Sequence, residues 1–222
     1  MNLLNHIDAF FSDSAHWEGY DGIPTRVLEH IQYTLMALGM AAAVGLPIGL
    51  VTGHTGRGGN TLALVATAAR ALPSFGLMVL MFILIGLGMA PVMIPLVVLA
   101  VPPILVTTYE AMRSVDPAPV DAARGMGMAE AEVLFRVEVP MALPLILSGL
   151  RTAAIQIVST ATIAAYVSFG GLGRYIIDGL YQRDYEKTVG GATLVAVMAL
   201  ATLGVFWAVA RLTVSPGVRR GG

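Results

Sequence analysis

Residues 71–109, ALPSFGLMVLMFILIGLGMAPVMIPLVVLAVPPILVTTY, run for 39 positions without an Asp, Glu, Lys, Arg or His. As one helix they would measure roughly 58 Å, nearly twice the ~30 Å of a bilayer's hydrocarbon core. The GLGMAP turn signal at 86–91 divides the run into two helices, 71–87 and 92–110. Working outward, three more runs lack any ionisable residue: 31–53, 152–173 and 188–210. They give spans at 31–53, 150–169 and 189–210. The fold class expected is an all-α integral membrane protein with five transmembrane helices. Composition agrees, with 56% hydrophobic and 12% charged residues, about half the charged share of a soluble domain.

A net charge of −1 with scattered Lys and Arg gives no basic stripe for nucleic acid. The absence of cysteine excludes disulfides and thiolate metal sites. His6, His16, His30 and His54 all fall outside the five spans and show no metal-ligand spacing, so no metal or cofactor is expected. GHTGRGGN (53–60) has the first two glycines of a phosphate-binding loop. Gly59 and Asn60 stand where its Lys and Ser/Thr must be, so it reads as a turn between spans. No span holds a paired nucleophile and base, and the chain reads as non-catalytic. Arg70 and Arg151 sit near predicted span ends, and no ionisable group lies deeper. The missing buried carboxylates count against an ion-coupled carrier, though backbone carbonyls remain available to Na⁺.

Five spans put the termini on opposite sides. With the C-terminus cytoplasmic, that side holds Arg57, Arg70, Arg113, Arg124, Arg136, Arg151, Arg211, Arg219 and Arg220, against Arg26, Arg174, Arg183 and Lys187 outside. The positive-inside rule favours this orientation. Residues 1–30 are then an external arm, 31–212 the transmembrane domain and 213–222 a cytoplasmic tail. In the arm Leu3, Leu4, Ile7, Phe10 and Phe11 share a helical face, compatible with an interfacial helix and equally with a loosely packed terminus.

One segment facing the cytoplasm is unlike the rest. DAARGMGMAEAEVLFRVEVP (121–140) carries six charged residues, which would cost on the order of 15–20 kcal/mol to bury in lipid. It cannot span. Asp116 before Pro117 is an N-cap with a first-turn proline, Gly125 and Gly127 break the helix that follows, and a second helix ends at Pro140. Two short helices with a glycine corner fit an amphipathic loop resting on the bilayer or a docking element for a soluble partner.

The fourth span shows a different pattern. Ser148, Thr152, Gln156, Ser159, Thr162 and Tyr166 fall within an arc of about 120° at 100° per residue. This strip either lines a path or makes interhelical hydrogen bonds. Gly45, Gly49 and Gly53 in the first span form a small-residue ridge of the kind that lets helices approach closely.

The 121–140 segment resembles the coupling loop of permeases in binding-protein-dependent ABC importers. That loop has an acid and two alanines, a Gly four residues later, and an aliphatic-x-aliphatic-Pro ending ten residues on. Here these are Asp121, Ala122, Ala123, Gly127, and Val137-Glu138-Val139-Pro140, with Asp for the usual Glu and Val for Ile and Leu. GHTGRGG (53–59), RALPSFGLMVL (70–80), GLRTA (149–153) and TATIAAYVSFGGLGRYIIDGL (160–180) are similar to the osmoprotectant branch, over roughly residues 25–212.

The resemblance implies a type I importer permease for glycine betaine, choline, carnitine or related quaternary amines, in a bacterial cell membrane. An amino-acid or other small-solute permease is the alternative. It implies three partners: a dimeric ABC ATPase, a second permease copy or paralogue, and an extracytoplasmic solute-binding protein. Residues 116–140 would couple to the ATPase through Asp121, Ala122, Ala123, Gly127, Phe135, Val137 and Pro140. Thr152, Gln156, Ser159, Thr162 and Tyr166 would line the translocation path at the permease dimer interface. Nothing in the sequence resembles the aromatic cage that recognises quaternary ammonium, which the family keeps in its binding protein.

Overall fold

Proline and glycine decide where the apolar runs break. The protein is described here by a computed structural model covering residues 3–167 and 169–215, with Arg70 through its backbone alone. The tail from 216, including Arg219 and Arg220, lies outside the described residues. The regular structure among them is helical. A short helix α1 (Leu3–Ser12) leads to α2 (Ile23–Thr55), which starts with a proline in its first turn, runs through Pro47 and ends at Gly56. The first span thus begins at Ile23 rather than 31, because no residue between 23 and 30 opposes the helix.

The second span differs from expectation. Pro73 separates α3 (Gly59–Arg70) from α4 (Ser74–Ile85), and the two are bent by 80°. At about 1.5 Å per residue α4 alone is too short to cross a bilayer. The bent pair, with the polar GNT stretch at its start, stands where a single helix over 71–87 is expected. Helix α5 (Ala90–Arg113) follows and accommodates Pro95, Pro102 and Pro103. Four continuous helices are long and apolar enough to cross a membrane, and the bent pair makes a fifth span if its two halves count as one.

Pro140 does not stop its helix. Helix α6 (Pro117–Gly125) and α7 (Glu130–Val133) flank the glycine corner, and α7 widens into a π turn, Leu134–Glu138, before α8 (Val139–Ala161). The Val139 N–H reaches back to Leu134 O. This wider turn gives the Pro140 ring room and leaves no donor missing from a tighter ladder. The second loop helix is therefore the start of the fourth span, not a separate element. It follows that Arg151, expected near the span's end, sits mid-way along α8, exposed, with Nη2 3.4 Å from Ser148 Oγ. Helix α8 tightens into a 3-10 segment (Thr162–Val167); α9 (Gly173–Gln182) and α10 (Tyr185–Thr213) complete the chain.

The core lies where α2, α5 and α8 meet, with Met78 of α4 added. Ala37, Ala41, Val92, Leu96, Ile104, Ala153 and Ile157 are buried in it. The glycine ridge of α2 is its tightest seam. A Cβ added at Gly45, Gly49 or Gly53 would meet Ile104, Thr108 or Met112 of α5 at 3.0, 2.7 or 2.5 Å. By contrast the 18-residue apolar window of α10 is wholly unburied, and α4 exposes Leu80, Ile83, Leu84 and Ile85. Apolar surface turned outward on that scale belongs in lipid or against another membrane chain. Helix α1 is not a loosely packed terminus. Its Phe10 is fully buried, edge-on to Tyr175 of α9, and a Cβ at Gly190 of α10 would strike the Phe10 ring.

Candidate functional site

The charged loop is built around one helix ending. Asp116 Oδ1 accepts from the Ala118 N–H (3.0 Å) and starts α6 as the N-cap expected from the sequence. At the other end Gly127 N–H donates to Arg124 O (2.9 Å) and Met128 N–H to Ala123 O (3.2 Å). This bond pair is a Schellman ending with Gly127 in the left-handed position, φ +85°. A Cβ there would meet nothing within 4 Å, so glycine is needed for its backbone angle rather than for space. The spacing from Ala123 to Gly127 is the spacing of that motif.

The corner sorts the sequence-predicted residues into two sets. Ala123 joins Val120 and Val133 in a small buried cluster, with Val137 and Met128 half-buried against it. These hold the loop together. Asp121, Ala122, Gly127, Phe135 and Pro140 remain exposed, and Met126 projects beside them.

An ionic chain runs from this corner to the end of α2. Arg124 grips Glu130 with two bonds, Nε–Oε1 2.9 Å and Nη2–Oε2 3.0 Å. That pairing raises the Arg124 guanidinium above its ordinary value. Glu130 Oε2 lies 3.3 Å from His54 Nε2, and His54 Nδ1 contacts Glu138 Oε2 at 2.5 Å. Glu138, in the π turn, is buried. A polar cavity of about 270 Å³ opens beside these residues, walled also by Arg113 and Asp121. His54 is thus no loop histidine; it belongs to the last turn of α2.

His30 was placed outside the spans as well, and it is fully buried in α2. Its Nε2 bonds Val158 O of α8 (2.9 Å) and its Nδ1 accepts the Leu172 N–H (3.3 Å). A carbonyl on one nitrogen and an N–H on the other define a neutral ring with its proton on Nε2. Beside it Glu29 Oε2 accepts both the Gly171 N–H (2.7 Å) and Arg26 Nη1 (2.8 Å), while Arg26 also pairs with Asp21. Gly171, at φ +84°, turns the chain so that both N–H groups point back at α2. Tyr175 hands its hydroxyl to Asp21 O, and burial pushes that phenol up to about 12. A span starting at 31 leaves His30 just outside it, and no local pattern marks its place against α8.

The polar strip of α8 turns away from this core. Thr152, Ser159 and Tyr166 are exposed and Gln156 and Thr162 half-buried. Thr152 and Thr162 donate to Ser148 O (2.9 Å) and Ser159 O (2.6 Å) of their own segment, not to a neighbouring helix. Thr152 and Gln156 wall a cavity of about 210 Å³ with Ala69, Leu99, Pro102 and Pro103. At the strip's far end the Tyr166 ring meets Phe75 of α4 edge-on at 4.9 Å and lies 6.4 Å from Tyr181 of α9.

Residues 45–220 match the family model for the inner membrane component of binding-protein-dependent transport systems. The chain belongs to that family. This permease is 34% identical over 175 residues to the choline transport system permease protein OpuBB of Bacillus subtilis, covering 79% of this chain and 81% of that one. It is 33% identical to the osmoprotectant import permease protein OsmW of Salmonella typhimurium (86% and 90% covered) and 29% identical to the carnitine transport permease protein OpuCB of Listeria monocytogenes (89% and 88%). Among solved structures it resembles the inward-facing MetNI methionine ABC transporter, with a TM-score of 0.74 over 86% of this chain and 95% of that chain at 22% identity. An amino acid ABC transporter gives 0.68 over 95% and 98% at 19% identity. The fold is that of a type I ABC importer permease, and the protein is a multi-pass membrane transport subunit.

Proposed function

We propose that this chain forms the translocation path of an ATP-driven importer for quaternary-amine osmoprotectants such as choline, glycine betaine or carnitine. The N-terminus lies outside and the charged loop in the cytoplasm. There Asp121, Ala122, Gly127, Phe135 and Pro140 engage a separate ATPase dimer, while Ala123 and Val137 hold the loop's shape. A second permease chain closes the path, and an extracytoplasmic binding protein delivers the solute. The chain itself carries out no bond-breaking chemistry.

The observation that carries this reading is the polar strip of α8. Its threonines hydrogen-bond within their own segment, and Thr152, Ser159 and Tyr166 are exposed and Gln156 and Thr162 half-buried along one side of an otherwise apolar bundle. Polar groups turned outward in lipid are costly unless they meet water or a partner chain, which suits a path formed between two permeases. The solute class follows the names of the relatives that cover most of this chain.

The test is reconstitution of the permease with its ATPase and binding protein in proteoliposomes, loaded with ATP or with none. ATP-dependent entry of labelled choline, glycine betaine or carnitine is expected. Entry without ATP would make the chain a facilitator, and ATP-driven entry of amino acids alone would move it to another solute class.

A further inference from the structure

The upper end of the α8 strip holds a feature that packing alone does not require. Phe75 starts α4, Tyr166 lies in the 3-10 segment after α8, and Tyr181 sits near the end of α9. Three separate elements bring these rings to one place. Phe75 and Tyr166 stand at 88° to one another, 4.9 Å between centroids, and Tyr181 flanks Tyr166 at 6.4 Å and 40°. All three keep free surface: 44% for Phe75, 51% for Tyr166 and 71% for Tyr181. Rings whose purpose is filling a core are not left half open. Aromatic residues that merely anchor a protein at a membrane surface have no need to stack against each other at the head of a polar strip.

Two rings at right angles offer a cation two π faces at once, and a third beside them widens the cradle. An aromatic face attracts a cation within about 6 Å of its centroid, most effectively one as weakly hydrated as a methylated ammonium. Contact with the Tyr166 hydroxyl raises the Tyr181 phenol above its ordinary value. Below the cradle Thr162, Ser159, Gln156 and Thr152 continue the same side of the helix.

We infer that Phe75, Tyr166 and Tyr181 form a transient binding site for a quaternary ammonium group at the entrance to the polar strip. The inference rests on the quaternary-amine reading given above. Neutral rings hold the trimethylammonium head without a counter-charge, so the solute is retained briefly and passes on. A carboxylate there would bind a cation more tightly and slow its release.

The test uses the complete reconstituted importer, with labelled choline, glycine betaine and carnitine as probes at saturating binding protein. Tyr181→Leu and Phe75→Leu remove a π face and keep apolar bulk; Tyr181→Phe and Phe75→Tyr keep the face. Each Leu variant is expected to import roughly 3- to 10-fold more slowly, with binding-protein-stimulated ATP hydrolysis unchanged. The aromatic exchanges should stay within about twofold of wild type, as the quadrupole they preserve is the attractive element. Wild-type import by both Leu variants would overturn the site and leave the rings as interfacial anchors. Equal loss in Tyr181→Leu and Tyr181→Phe would also overturn it, since the hydroxyl and not the ring face would then matter. Co-purification of the ATPase monitors assembly, and should Phe75→Leu fail to assemble, the exposed Tyr181 pair decides alone. If wild type imports none of the three amines, the solute reading itself falls. If wild type imports them and the Leu variants are unaffected, the solute reading stands and only this site is lost.

Discussion

Helix α2 is tied to the α8 region at both ends, by opposite means. Near Ile23 the ties are dry and directed at backbone: His30 holds Val158 O and the Leu172 N–H, and Glu29 holds the Gly171 N–H. Near Thr55 they run from side chain to side chain, His54 to Glu138 and Glu130, and Glu130 to Arg124. Backbone groups cannot turn away, and a buried one left unpaired carries its full desolvation penalty. Of these groups His54 and Glu138 are largely buried, but Glu130 and Arg124 are exposed and exchange partners with water at little cost. One end of α2 is thus built to stay and the other to let go and re-form. In the proposed importer the adjustable end is the one that meets the ATPase, while the end with α1 and α9 stays a fixed frame for the mouth of the path.

The widest gap between the two ends should appear in stability. His30→Leu keeps apolar bulk but leaves Val158 O and the Leu172 N–H without partners. At about 1–3 kcal/mol for each unsatisfied group the loss is about 2–6 kcal/mol. Thermal unfolding of the purified chain in detergent should show a midpoint lower by roughly 5–15 °C. A midpoint within a degree of wild type would mean that water reaches both groups, and the claim of a dry end would be wrong.

The next effect is on function rather than on the fold. Gly127→Pro demands φ near −65° where the chain holds +85° and removes the N–H given to Arg124 O. The corner opens, yet the α2–α5–α8 core is untouched. Uptake should fall more than about tenfold, and the ATPase should no longer co-purify, with the chain still present in the membrane. Gly127→Ala, with nothing within 4 Å of the new methyl, meets only the left-handed penalty of about 1–2 kcal/mol and should keep part of both. Full uptake in Gly127→Pro would separate the corner from coupling.

Much of this contrast was legible in the sequence at the loop end and little at the other. Asp116, Pro117, Gly125 and Gly127 announce a capped helix and its ending because those rules are local. The α8 strip was likewise visible, since a helix imposes its own period. Pro140 misled: a proline that breaks a regular α-helix is absorbed by the π turn ahead of it, and such a turn follows no composition rule. Pro73 misled in the other sense: the helix expected over 71–87 begins only at Ser74, behind a bend that joins it to α3. His30 falls outside the expected spans because a charge-free run cannot include it, whereas its polarity is satisfied by backbone 128 and 142 residues away. The Phe75–Tyr166–Tyr181 cluster joins α4, the 3-10 segment after α8, and α9, and no spacing in the chain encodes it.

The smallest expected effect is the sharpest test of the adjustable end. Glu130→Gln removes the charge that Arg124 and His54 share, at a site with 60% of its side chain exposed. Gln can still accept one hydrogen bond, and water replaces the rest, so the melting midpoint should not move measurably. The number of solute molecules imported per ATP should nevertheless fall, because His54 then holds only Glu138 and the link from α2 to the corner is broken. Raising salt should act on wild type in the same direction, since about 1 M shortens the screening length to about 3 Å. Glu130→Gln should be less sensitive to that salt than wild type, its chain being already broken. His30→Leu, whose lost bonds are buried, should retain wild-type salt dependence. If instead Glu130→Gln lowers the melting midpoint as far as His30→Leu does, the ionic chain is a structural brace and the two ends of α2 are fixed alike.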